Sequence, residues 1–325
     1  MMTNTDEMDY RLETIPMNRR KQGFTLIELL VVMSIIALLL SILVPALGRA
    51  RAQAMLVKDA SQINGIFKGW TSWAGDHDGY FPIPGLEKRQ QDTQLGQYIK
   101  GRGPEDLQWN DHGSLLSLCI MQNLYTPDTL MAPTEPNGNV GAMTTYNFEV
   151  YEPPNGSNEG VLWDEEFSNE LQIGGSGICN NSYGIIPVTG ERRVDHWGWH
   201  KINDSSFAVV GTRGPADGDI AANPDSLSTQ FHGIDGEWKG IVCFGDNHTE
   251  TLGTFYPQNA NYISNSSGLS IPDNLFEEEA DALAANPANG TGDGTGHDIV
   301  LTHIAYGDIN VTDGRFGGIT QFRHD

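Results

Sequence analysis

Apolar positions along this chain follow three regimes, and the first has no polar face. From Leu29 to Leu47 the polar side chains are Ser34 and Ser41, and Glu28 is the one charge between Phe24 and Leu47. A helix lying on a soluble core shows a polar side every 3.6 residues, so this run reads as a helix that is apolar all round. Residues 24–47 are long enough to cross a hydrocarbon core of about 30 Å. Beyond Leu47 the pattern turns amphipathic: Met55, Leu56, Ala60, Ile63, Phe67, Trp70 and Trp73 recur at threes and fours, with Arg49, Arg51, Lys58, Asp59 and Lys68 between them. One helix is therefore predicted from about Phe24 to Trp73, with 24–47 in a membrane or filament core and 48–74 laying its stripe on a globular head. At 1.5 Å per residue it would measure about 75 Å. Gly65 and Gly69 each cost a helix about 1 kcal/mol relative to Ala, and close packing of the backbone against a sheet would explain them.

The third regime is short alternating or apolar runs punctuated by Gly, Asn and Pro. Gly75 to Pro82 is a turn-rich exit from the helix, residues 86–112 are polar and read as a surface excursion, and Leu115–Met121 reads as a short buried helix. Strands are predicted at Thr144–Phe148, Gly184–Val188 and Ser206–Val210, the last followed by a turn at 211–215. Ile241–Glu250 reads as a hairpin whose turn holds Asp246, Asn247 and His248; Asn tolerates the left-handed conformation such a turn needs. Residues 251–325 form an acidic, Gly- and Asn-rich extension with one strand, Ile299–Ala305. The run Glu277–Glu279 reads as a solvated helix start. The fold class is α+β: a long N-terminal helix packed on a mainly antiparallel β head spanning 75–250.

Charge adds direction. The 325 residues carry 42 acidic and 19 basic side chains, a net charge of -23, which argues against a nucleic-acid partner. Arg19, Arg20 and Lys21 precede the apolar run, so the N-terminus is expected in the cytoplasm and the head outside a single-pass inner membrane. A carboxylate at the bilayer centre costs roughly 2.5 kcal/mol or more, so Glu28 near the cytoplasmic end needs a partner or reaches the interface. Cys119, Cys179 and Cys243 form no C-x-x-C pair. They leave one disulfide with a free thiol, or three buried thiols, as the alternatives.

Candidate chemistry is sparse. Asp76 and Asp78 make a D-x-D-G fragment that suggests calcium only weakly, because the later ligands of a twelve-residue loop are missing. His196 and His200 stand four apart around two tryptophans without an evident third ligand. His232, Asp246 and His248 could cluster if their segments pair, yet no nucleophile elbow or H-E-x-x-H helix accompanies them, so a hydrogen-bonded turn is the simpler reading. Gly292–Asp298 is a single copy of a Gly-Asp pattern and reads as a loop.

Gly23-Phe24-Thr25-Leu26-Ile27-Glu28-Leu29 resembles, position for position, the processing site of the type IV pilin-like proteins, which include the pseudopilins of type II secretion systems. The resemblance implies a leader over residues 1–23, starting at Met1 or Met17, that prepilin peptidase removes after Gly23 with methylation of the Phe24 amine. It implies that Glu28 acts in assembly and that Pro45 sits where such helices carry a kinking Pro. Its implied partners are prepilin peptidase, other pilin-like subunits and the secretion or pilus machinery; no cofactor is implied and calcium stays open. The Asp78-Gly79-Tyr80-Phe81-Pro82 exit is similar to the segment that closes the long helix in pseudopilin-like proteins. Leu130–Pro136 and the His232/Asp246 region resemble an exported pilin-like group of planctomycete-type bacteria. Ala132 replaces the Cys of that group, thirteen residues separate His232 from Asp246, and Asn247 stands for its Gly. The alternatives are an ordinary secretory signal, a membrane-tethered module binding carbohydrate or another secreted ligand, and a periplasmic hydrolase built on His232 and Asp246.

Overall fold

The computed structural model describes residues 24–171, 178–189, 199–200, 204–232, 236–264, 266–277, 285–286, 291–292, 299–310, 318–319 and 323. The chain divides into two compact units, Met1–Arg51 and Ala52–Asp325. Helix α1, Leu26–Asp76, is continuous for 51 residues and passes through Pro45, whose nitrogen has no hydrogen to donate. Every side chain from Phe24 to Leu47 is exposed, as a segment that meets lipid or another helix must be.

Beyond Ala52, α1 buries Ile63, Phe67, Trp70 and Trp73 of the predicted stripe, together with Ile66 and Ala74, while Met55, Leu56 and Ala60 are half-buried. One charge lies on it. Asp59, four residues before Ile63 and seven before Ile66, is fully buried rather than on the polar side. Gly69 packs on the segment after α3: a Cβ there would come 3.0 Å from the Tyr125 ring and 3.2 Å from Leu124 Cβ. The close approach expected at this glycine is real, but its partner is a loop and not a sheet.

Helix α1 ends as Asp78 and Gly79 take left-handed φ angles of 54° and 87°, and Gly79 N–H returns to the Ala74 carbonyl at 2.9 Å. Gly79 is required here because a Cβ would lie 2.5 Å from the His200 ring. Trp199 then donates from Nε1 to the Pro82 carbonyl at 2.7 Å and packs among Trp70 and Phe81. Helix α2 (Pro84–Glu87) and helix α3 (His112–Met121) follow. Asp111 caps α3, its carboxylate accepting from Ser114 N–H at 2.9 Å and Ser114 Oγ at 2.7 Å. The 86–112 excursion is partly internal: Lys88 is buried, over the Trp109 ring and paired with Glu165.

Four antiparallel strands form a meander in chain order: β1 (Tyr183–Ile185), β2 (Ala208–Thr212), β3 (Gly240–Phe244) and β4 (Thr249–Leu252). A bulge lies between Ala208 and Val210, where Ala208 faces Phe244 and Val210 faces Cys243. A second hairpin pairs β5 (Asn261–Ile263) with β6 (Ser270–Pro272). The α+β arrangement predicted from the sequence is the one observed, a long apolar N-terminal helix followed by a mainly antiparallel domain.

Local predictions fared less evenly. Thr144–Phe148 is no strand: Tyr146 turns inward, its hydroxyl donating to the Ser117 carbonyl at 2.7 Å, and Phe148–Val150 is a 3-10 turn. The strand predicted at Ser206–Val210 lies two residues later and takes in Gly211 and Thr212 of the expected turn. Ile299–Ala305 is buried and extended but meets the edge of β1 in a single bridge, Ile185 with Thr302. Leu275, Phe276, Ile299 and Leu301, within 251–325, belong to the same core as α1 and the sheet.

Candidate functional site

At the N-terminal end, Thr25 precedes the first helical residue, and Glu28 is the third residue of the helix. Thr25 N–H and Oγ donate to Glu28 Oε2 at 2.9 and 2.8 Å, while Glu28 N–H donates to Thr25 Oγ at 3.2 Å. This reciprocal arrangement is a capping box, and it satisfies two helix-end donors that have no partner within the helix. The spacing Thr-x-x-Glu before an apolar run was its readable signal. Phe24 is exposed beside it, and Gly23 with the whole of 1–23 lies outside the described residues. Pro45 lies within α1. Among the described residues, α1 is the one helix long and apolar enough to span a membrane.

The head's most consequential polar group is Asp59. Tyr183 OH donates to its Oδ1 at 2.6 Å and His232 Nε2–H to its Oδ2 at 2.7 Å, so both oxygens of a fully buried carboxylate are engaged. The network ties α1 to β1 and to the segment before β3. Burial, then the neighbouring Asp59 charge, holds the Tyr183 hydroxyl well above its ordinary pKa, so it remains a donor. His232 is thus committed to α1 and does not join Asp246 and His248, correcting the cluster suggested by sequence.

Asp246, Asn247 and His248 form the predicted turn between β3 and β4. Asn247 has φ 70°, and its carbonyl and Oδ1 accept from Asn64 Nδ2 at 3.0 and 2.9 Å. The turn is therefore pinned to α1. Asp246 Oδ1 accepts from His248 N–H at 3.1 Å and pairs with the His248 ring; although its partial burial acts the other way, these bonds hold its carboxyl below the ordinary value.

Asp76 and Asp78 are exposed at the end of α1, and the Asp78 carbonyl lies 3.2 Å from His200 Nε2. Among the described residues no three His, Cys, Asp or Glu side chains gather as a metal site would require, though His196 and 293–298 lie outside them. Cys119, Cys179 and Cys243 are free and buried, and burial pushes each thiol up to about 12, which leaves them protonated and unreactive. Ala132 is buried in the 130–136 segment, where Glu135 receives two 2.7 Å bonds from the buried Arg213. Arg213 lies in the segment predicted as a turn at 211–215, and no local pattern marks its pairing with Glu135.

Residues 18–44 match the family model described as the prokaryotic N-terminal methylation motif. The matched stretch contains Gly23, Phe24, Thr25 and Glu28, so the chain carries a type IV pilin-like prepilin signal on an apolar helix, consistent with a single-pass inner-membrane anchor. No curated protein and no solved structure matches the chain.

Proposed function

We propose that this chain is a non-enzymatic pilin-like subunit, cut after Gly23 by prepilin peptidase, methylated on Phe24, and built into a type II secretion pseudopilus or type IV pilus-like fibre. The observation that carries the reading is one helix that combines the methylation motif, a charge at Glu28 and a fully exposed apolar surface to Leu47. Such a surface is stable only in lipid or against other apolar helices. In a fibre the Glu28 carboxylate meets the Phe24 amine of a neighbouring copy, and the charge pair offsets the cost of burying both groups. The head stands outside the cytoplasmic membrane, no cofactor takes part, and the assembly machinery supplies the remaining partners.

Glu28→Ala tests this. The variant is expected to insert in the membrane like the parent while its recovery in sheared fibres falls at least tenfold. Normal incorporation of the variant, or a parent chain that stays in membranes and never enters fibres, contradicts the proposal; the second result favours a tethered binding module.

A further inference from the structure

Charge is distributed very unevenly between α1 and the rest of the chain. From Leu29 to Gly75 the charged residues are Arg49, Arg51, Lys58, Asp59 and Lys68, whereas residues 76–325 hold 36 acidic and 11 basic side chains. Asp59 is buried against Tyr183 and His232, so between Leu29 and Gly75 the exposed charges of α1 are all cationic. Among the described residues Lys58 and Lys68 make no ion pair; they are ten residues apart, about 15 Å along the axis, and Val57 beside Lys58 is 60 % exposed.

The head offers the complement. No Lys or Arg occurs from Gly103 to Gly190, a stretch holding twelve Asp and Glu. Lys88 engages Glu159 and Glu165, and Arg323 lies 3.7 Å from Glu170. Glu149, Glu152 and Glu166 are exposed and make no ion pair among the described residues. Phe148 and Tyr151, 50 % and 43 % exposed, flank the first two glutamates, with Lys100 donating to the Tyr151 hydroxyl at 3.4 Å as the nearby cation. An exposed apolar side chain beside a cation on α1 thus has its counterpart in exposed aromatics beside carboxylates on the head.

We infer that the Lys58/Lys68 face of α1 docks on the Glu149–Glu152 surface of the head of a second copy of this chain. The inference rests on the assembly reading and names its contact. Two different surfaces meet, so the contact is head-to-tail and repeats from copy to copy, the kind that generates an open helical fibre instead of a closed dimer. Opposite charge guides encounter, and two acidic heads facing each other repel.

The test is a charge swap in the full-length processed chain, read as fibre incorporation and as sedimentation of the protein in detergent micelles at low salt. Lys58→Glu with Lys68→Glu, and separately Glu149→Lys with Glu152→Lys, should each weaken self-association at least tenfold. The two variants mixed, in which every contact between unlike copies again pairs opposite charges, should recover most of it. Unchanged association in either variant, or loss without recovery on mixing, overturns the inference. Weakened binding of the lysine variant to phosphatidylglycerol vesicles with unchanged self-association would assign the stripe to lipid and overturn it as well. Because cleavage after Gly23 and the Glu28 requirement are measured independently, these failures leave the assembly reading standing.

Discussion

Replacing Asp59 with Ala should lower the stability of the head by about 3–5 kcal/mol, the usual result of removing one partner from a buried hydrogen-bonded pair. Tyr183 OH and His232 Nε2 would both lose an acceptor in a site without water access, and each orphaned donor adds its own desolvation cost. With roughly 2–4 °C lost per kcal/mol in a domain of this size, the thermal midpoint of the full chain in detergent micelles should fall by about 10 °C. Asp246→Ala is the informative control. Its carboxylate is partly exposed and bonded within a turn, so that change should cost no more than about 1 kcal/mol. Equal losses in the two variants would mean that His232 does not depend on Asp59.

The second large effect is a pH dependence hidden by cancellation. Asp111 and His112 are adjacent and fully buried, and burial pushes the Asp111 carboxyl up to about 6 and the His112 imidazole down to about 4. Ile304 N–H donates to His112 Nδ1 at 3.2 Å, so its proton sits on Nε2, which donates to the Ile186 carbonyl at 3.1 Å. The neutral ring is the form that fits. Between pH 4 and 6.5 the unfolded chain binds the His112 proton more readily than the folded one, so this residue removes stability as pH falls through that window. Between 3.8 and 6 the folded chain binds the Asp111 proton more readily, so this residue adds stability as pH falls. Each shift spans about two units or slightly more, worth about 3 kcal/mol, with opposite sign. His112→Gln keeps a donor for Ile186 and removes the titration. Relative to the parent, the variant should gain about 3 kcal/mol on acidification from pH 7 to 4, measured by denaturant unfolding at each pH. A difference between the two proteins that stays constant across that range would show that His112 titrates alike in both states.

Legibility of the fold from sequence followed the range of the interactions involved. Helix α1 was readable almost to its ends because its apolar period is local, and Asp78-Gly79 marked its stop. The meander was harder. β1 has three residues and β2 and β3 five each, and β1–β3 are buried along their whole length, so no in–out alternation marks their limits. The Ile185–Thr302 contact joins residues more than a hundred apart, which no local pattern encodes. Asp59 shows the opposite case. The spacing of four residues from Asp59 to Ile63 is compatible with the buried stripe, but its charge put Asp59 with the polar positions between the apolar ones. Of the candidate site, Phe24, Glu28 and the Asp246–His248 turn were legible in the sequence, whereas the partners of Asp59, Glu135 and Asn247 required the tertiary fold.

The account turns on what happens at Gly23 and Phe24. Mass spectrometry of the mature chain from membranes of a host with an active prepilin peptidase should find a single N-terminus at N-methylated Phe24. A terminus beyond Leu47 would mean that the apolar run is a discarded secretory signal, and an intact leader would mean that the motif is not processed; either result contradicts the account.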